Sequence, residues 1–143
     1  MGATVIVADV SANQFSVTVA GIGPLLNGST RFSLDLSDPT LEVLGVSRAQ
    51  FSFDRVRNGS VRATRTLLDF NYASTTSVAT GSTAETFSYT LSGNFPRIGA
   101  VSMVVATTQP VVTAAGALHP SSGAGKITGR DNKSVAVTVL PAG

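Results

Sequence analysis

The 143-residue chain has no cysteine and no tryptophan, and a single histidine. Without cysteine there is neither a disulfide framework nor a thiolate nucleophile, and a Cys-based zinc site is ruled out. Charge is scarce as well: 13% of residues are Asp, Glu, Lys or Arg, about half the usual share near 25%. Long apolar runs are absent. Nothing approaches the ~18 consecutive apolar residues of a membrane-spanning helix. The opening MGATVIVADVSANQF has no basic segment and is interrupted by Asp9, so it does not read as a signal peptide. Synthesis in a cytoplasm is expected, and no membrane contact.

In place of charge the chain carries Ser, Thr, Ala, Val and Gly, with 43% apolar residues. That balance belongs to a β-rich folded protein rather than a disordered one. A surface this poor in charge protects weakly against association, so a homo-oligomer, or contact with other subunits, is expected. The net charge of +2 is too small to imply nucleic acid by itself.

Alternation of apolar and polar residues runs along most of the sequence. QFSVTV puts Phe15, Val17 and Val19 on one face. TRFSLDL puts Phe32, Leu34 and Leu36 on one face and Arg31, Ser33 and Asp35 on the other. TVIVADV, TLEVLGV, AQFSFDRVR, SVRATRTLLDFNY, AETFSYTL, AVSMVVATT, PVVTAA and SVAVTVL add further strands, nine or ten in all. Helical periodicity is missing, and poor helix formers dominate. GIGPLLNGS, LSDP, STTSVATGST, SGNFPRIG and HPSSGAGKITGRDNK read as connections, the last being the longest. With no composition break and no repeat, residues 1–143 are expected to form one domain. The predicted fold is all-β, a single antiparallel β-sandwich of jelly-roll-like type, in which Phe32, Leu34 and Leu36 enter the core.

Catalytic chemistry finds little to build on. His119 precedes Pro120 in a loop-like stretch and there is no G-x-S-x-G elbow, so the chain is read as a non-enzyme with no cofactor and no metal. Asp35, Asp38 and Glu42 could offer oxygen ligands to calcium, although three acids over eight residues also suit a turn. SSGAGKITG lacks the register of a phosphate-binding loop. Asn27, Asn58 and Asn132 match glycosylation acceptors, two of them simply as Asn-Gly turns.

The basic residues are clustered. Asn58-Gly59 is a strong hairpin signal, and pairing across it sets Arg57 opposite Ser60, Val56 opposite Val61 and Arg55 opposite Arg62. Arg48 and Arg65 flank the hairpin. Such a tip suits an acidic partner surface, or serves as charge that blocks edge-to-edge pairing. No aromatic residues interleave the arginines as base stacking would require, so nucleic acid is not the expected partner. The candidate contact residues are Arg48, Arg55, Arg57, Arg62 and Arg65 here, Lys126, Arg130 and Lys133 in the last long connection, and Val139 and Leu140 near the end. Met1 to Val5 and Leu140 to Gly143 are candidate contact segments.

FSLDLSDPTLEVLGV resembles the strand–DP–LEV corner of cohesin modules, and the likeness extends over residues 3–70 through NGSVRATRTLLDF. It implies a β-sandwich that binds a protein partner, in a secreted adhesin-like context. As a whole, the chain is similar to the small all-β capsid decoration, or cement, proteins of tailed phages. That similarity implies a structural protein, located in the virion, that binds the major capsid protein or further copies of itself.

Overall fold

A computed structural model describes residues 4–16, 22–58, 60–95 and 99–140. They form eight strands, β1 (Val5–Ser16), β2 (Ile22–Asp35), β3 (Leu41–Arg57), β4 (Ser60–Ser77), β5 (Thr83–Phe95), β6 (Gly99–Thr113), β7 (Ser122–Thr128) and β8 (Ser134–Thr138), with one 3₁₀ turn at Arg130–Asn132. The all-β expectation holds as one large antiparallel sheet. Its spatial order is the chain order from β1 to β8, a meander whose open edges are β1 and β8.

Alternation locates the strands but not their lengths. GIGPLLNGS, expected to be a connection, is mostly the first half of β2: only Gly21 lies outside the described residues. TLEVLGV and AQFSFDRVR are one strand, β3, of 17 residues. The strand also continues through Pro110 in β6, where the β6–β7 register shifts between Gln109 and Val112; a bulge tolerates the missing N–H. In the longest expected connection, Ser122 to Thr128 pairs with both β6 and β8. Val17 and Val19 of the first alternating run lie outside the described residues, as do Met1 to Ala3 and Pro141 to Gly143 of the candidate end segments.

Bulges interrupt most of the ladders near mid-strand. β1 carries an extra residue between Ala12 and Phe15, where Gln14 has φ 50° and its N–H donates to the Asn27 side chain at 2.7 Å. β3 carries one opposite the Gly28–Arg31 stretch, and β4 carries one between Leu68 and Asn71, where Asp69 has φ 49°. In β6 the surplus falls opposite the Glu85–Ser88 stretch of β5. There the Thr107 hydroxyl accepts from the Phe87 N–H at 2.9 Å and donates to the Phe87 carbonyl at 3.1 Å. Each bulge bends its strand and sharpens the local twist, so these long strands are not flat ribbons. Gly28 shows why one position must lack a side chain. Its φ is +132° and a Cβ there would lie 2.5 Å from the Gln50 carbonyl oxygen.

The Asp38-Pro39 corner forms as expected, between Asp35 at the end of β2 and Leu41 at the start of β3. Two other expectations are corrected. Phe32 and Leu34 do share one face and Arg31 and Ser33 the other, but Phe32 and Leu36 are each 39% exposed and no hydrophobic side chain among the described residues is buried. At the Asn58 turn, Arg57 pairs with Ser60 and Val56 with Val61 as expected, yet Arg55 pairs with Ala63. Arg62 is the extra residue of a bulge at the tip. Its displacement separates it from Arg55, relieving the like-charge pairing that a regular hairpin would impose.

Candidate interaction surface

The register assigns each residue to one of two faces, because partners across a ladder share a side and successive residues alternate. One face is apolar. A row crosses it through Ala8, Phe32, Val46, Tyr72 and Phe87, a second through Phe51, Leu67, Leu91 and Met103, and a third through Tyr89, Val105, Ile127 and Val135. Phe70 and Phe87 flank Tyr89 with ring centroids at 6.1 and 6.4 Å, within the range of favourable aromatic pairs. Toward β8, Phe87, Val105, Val111, Ile127 and Val137 line a shallow apolar hollow of about 220 Å³.

The opposite face is the more polar one, with small and polar residues interspersed with Val5, Val7, Val43, Leu68 and Val104. One row runs Asp9, Arg31, Ser47, Asn71, Ser88, Ala106, Lys126 and Ala136. Arg31 donates to both carboxylate oxygens of Asp9 at 2.9 Å, and this fork holds the Asp9 carboxyl below its ordinary value. Both side chains are exposed, so the pair adds little to stability.

Two polar side chains on the apolar face are held by neighbours. Arg48 lies over the Phe51 ring, 3.8 Å from its centroid, and its Nε donates to the Ser29 carbonyl at 2.9 Å. Desolvation lowers the Arg48 pKa without neutralising a guanidinium. Tyr72 donates its hydroxyl to Glu85, and that bond is the largest cause of the raised phenol pKa.

Among the described residues nothing lies over the apolar face. A compact protein of 14.6 kDa exposes about 6,900 Å² by the usual size scaling, whereas this chain exposes 9645 Å². The surplus, about 2,700 Å² over both faces of the sheet, is more than the ~800 Å² that each partner gives to a standard protein–protein interface. Alternation in LLDFNY and AETFSYTL already placed aromatic and apolar residues two apart. What the sequence could not show was that no second layer among the described residues covers them.

The predicted contact residues fall in different places. Arg55, Arg57, Arg62 and Arg65 come together around the β3–β4 turn, and Arg130 and Lys133, in the β7–β8 connection, lie at the same end of the sheet. Arg48 sits mid-face and Lys126 on the polar face. Val139 and Leu140 follow β8 at the opposite end, where the Val139 N–H donates to the Gly123 carbonyl at 2.9 Å and Leu140 is 78% exposed. The arginine hairpin and the chain's last strand therefore do not form one patch.

The acids of the corner do not converge. Asp35 accepts from the Ser37 N–H and hydroxyl, and Asp38 from the Thr40 N–H at 2.8 Å and hydroxyl at 2.6 Å. These are self-closing Asx turns, and the same bonds, the side-chain ones foremost, hold both carboxyls below their ordinary value. Among the described residues no three His, Asp or Glu side chains gather as a metal site, and no helix is long and apolar enough to cross a membrane. Comparison with family models, curated proteins and solved structures returns no match.

Proposed function

We propose that this protein is a non-enzymatic structural assembly protein, of the capsid decoration or cement type, that works by adhering to neighbouring protein subunits. The observation that carries the reading is the uncovered apolar face, in a chain whose accessible surface exceeds that of a compact protein of its size. A sheet with an aromatic-lined apolar side is stable in water when another layer closes over it. On this reading the β-sandwich is completed by a layer that comes from outside the chain. The open edges supply a further mode of adhesion. β8 is exposed along its whole length and contains no charge or proline between Ser134 and Thr138, so it lacks the usual guards against strand addition.

Symmetry on a capsid lattice would multiply modest contacts into avidity. The alternative, a secreted cohesin-like or adhesin module, draws on the Asp38-Pro39 corner but gives no special role to the apolar face. Negative-stain imaging and co-sedimentation with capsid particles encoded beside this gene test the proposal. Saturable binding at lattice positions is the expected result. A chain that leaves the particles bare refutes the decoration reading, and a neighbouring gene for a multi-module secreted scaffold would favour the alternative.

A further inference from the structure

The sheet is electrically polarised along its strands. The end holding the turns at 36–40, 78–82 and 114–121 carries Asp35, Asp38, Glu42 and Glu85, and no Lys or Arg among the described residues. The other end carries Arg55, Arg57, Arg62, Arg65, Arg130 and Lys133 against Asp54 and Asp131. Several of these charges stand on the apolar face. Glu42 aligns with Thr76 and Thr83, and Glu85 with Ser74 and Val111. Arg55 and Arg57 alternate onto the side of Phe51, and Arg65 aligns with Gly93.

The spacing is symmetric about mid-sheet. Along β5, Glu85 lies four residues on one side of Tyr89 and Gly93, the row of Arg65, lies four residues on the other. Glu42 belongs to the row of Thr83, six residues from Tyr89 on the acidic side. Arg55, opposite Ala63, lies two residues beyond the Arg65 row on the basic side. A two-fold axis lying across the strands at the level of Tyr89 therefore places acidic rows over basic rows. A two-fold axis along the strands would place like charges over like.

We infer that the apolar face is covered by a second copy of this chain, packed face to face about a two-fold axis that crosses the strands, with Glu42 of each copy over the Arg55 end of the other. The inference rests on the assembly reading and names its first partner. The surplus of about 2,700 Å² per chain, about 5,400 Å² for a pair, reaches the upper end of what obligate homodimers bury in total, and the self-complementary charge pattern meets what an isologous contact requires. Charge also favours a protein cover over lipid. Arg48 lies mid-face, and a charge at that depth on a lipid-facing strand is costly, whereas a second chain can leave its bonds to Ser29 and Phe51 in place.

Glu42, Arg55 and Arg57 are exposed, so reversing them spares the fold. The test compares the full-length chain with E42K, R55E and the double variant E42K/R55E by sedimentation equilibrium, with circular dichroism to confirm folding. Each contact occurs twice in a two-fold dimer, so each single reversal should weaken association by about tenfold. The double variant should recover it, and 1 M salt should shrink the difference. Single reversals without effect, or a double variant no better than either single, overturn the arrangement. A wild-type monomer at every concentration, or partition of wild type into phosphatidylcholine vesicles, overturns the inference itself. Capsid binding is read separately, so a monomer that still decorates particles refutes the dimer alone, and a dimer that leaves them bare refutes the decoration reading alone.

Discussion

Phe87→Ala offers a quantitative test of whether the apolar face is covered. Phe87 stands opposite Tyr72 and beside Tyr89, and in the single chain its ring is half-buried. Its backbone is held by Thr107, so truncating the ring leaves the ladder intact. If the face is open, the loss is one aromatic contact and roughly half of a full phenylalanine burial, about 1.5 kcal/mol together. If a second copy closes over the ring, the change leaves a cavity between layers and costs about 3–5 kcal/mol. The assay is urea denaturation followed by circular dichroism at two protein concentrations tenfold apart. A covered face predicts the larger loss, and wild-type stability that falls by about 1.4 kcal/mol per mole of dimer on tenfold dilution. A loss near 1.5 kcal/mol with identical curves at both concentrations would refute the reasoning.

Two further expectations concern the sheet itself. Gly28→Ala should destabilise by about 1–3 kcal/mol from backbone conformation alone, and more from the approach to the Gln50 carbonyl. Gly45→Ala, whose Cβ would meet only the movable Ser33 hydroxyl, should cost far less in the same thermal melt. Acid should weaken the fold through Asp9, Asp35 and Asp38. Each has a folded pKa below the ordinary carboxylate value, so the unfolded chain binds more protons in this window and stability rises with pH. The stabilisation is present above the unfolded value near pH 4 and is lost as pH falls through the lower folded values. A D35N/D38N variant should show a shallower acid limb in melts recorded from pH 5 to pH 2, and an unchanged limb would remove the Asx turns from the account.

How much of this was legible from residues alone depends on range. Alternation in TRFSLDL, AETFSYTL and SVAVTVL assigns strand and face correctly because side-chain period is a local property. Asn58 and the Asp38-Pro39 pair mark turns because their preferred dihedrals are local too. The bulge at Arg62 is not local. It depends on where the β3–β4 ladder takes up an extra residue, and only paired strands reveal it. The same holds for Gly28, which reads as half of an Asn-Gly turn signal but lies mid-strand against the backbone of β3. The candidate surface was least visible. Sequence treats apolar alternation as the mark of a core, and on that ground Phe32, Leu34 and Leu36 read as core residues. Whether that face meets another layer of the same chain is a question of topology, and a meander of consecutive strands brings no such layer.

The central claim is that the layer comes from a second copy. Sedimentation equilibrium of the unmodified chain over a hundredfold range of concentration tests it most directly. The account predicts a mass of twice the 14.6 kDa chain, or a multiple of that dimer, persisting to micromolar concentration. A single species of 14.6 kDa throughout would contradict it.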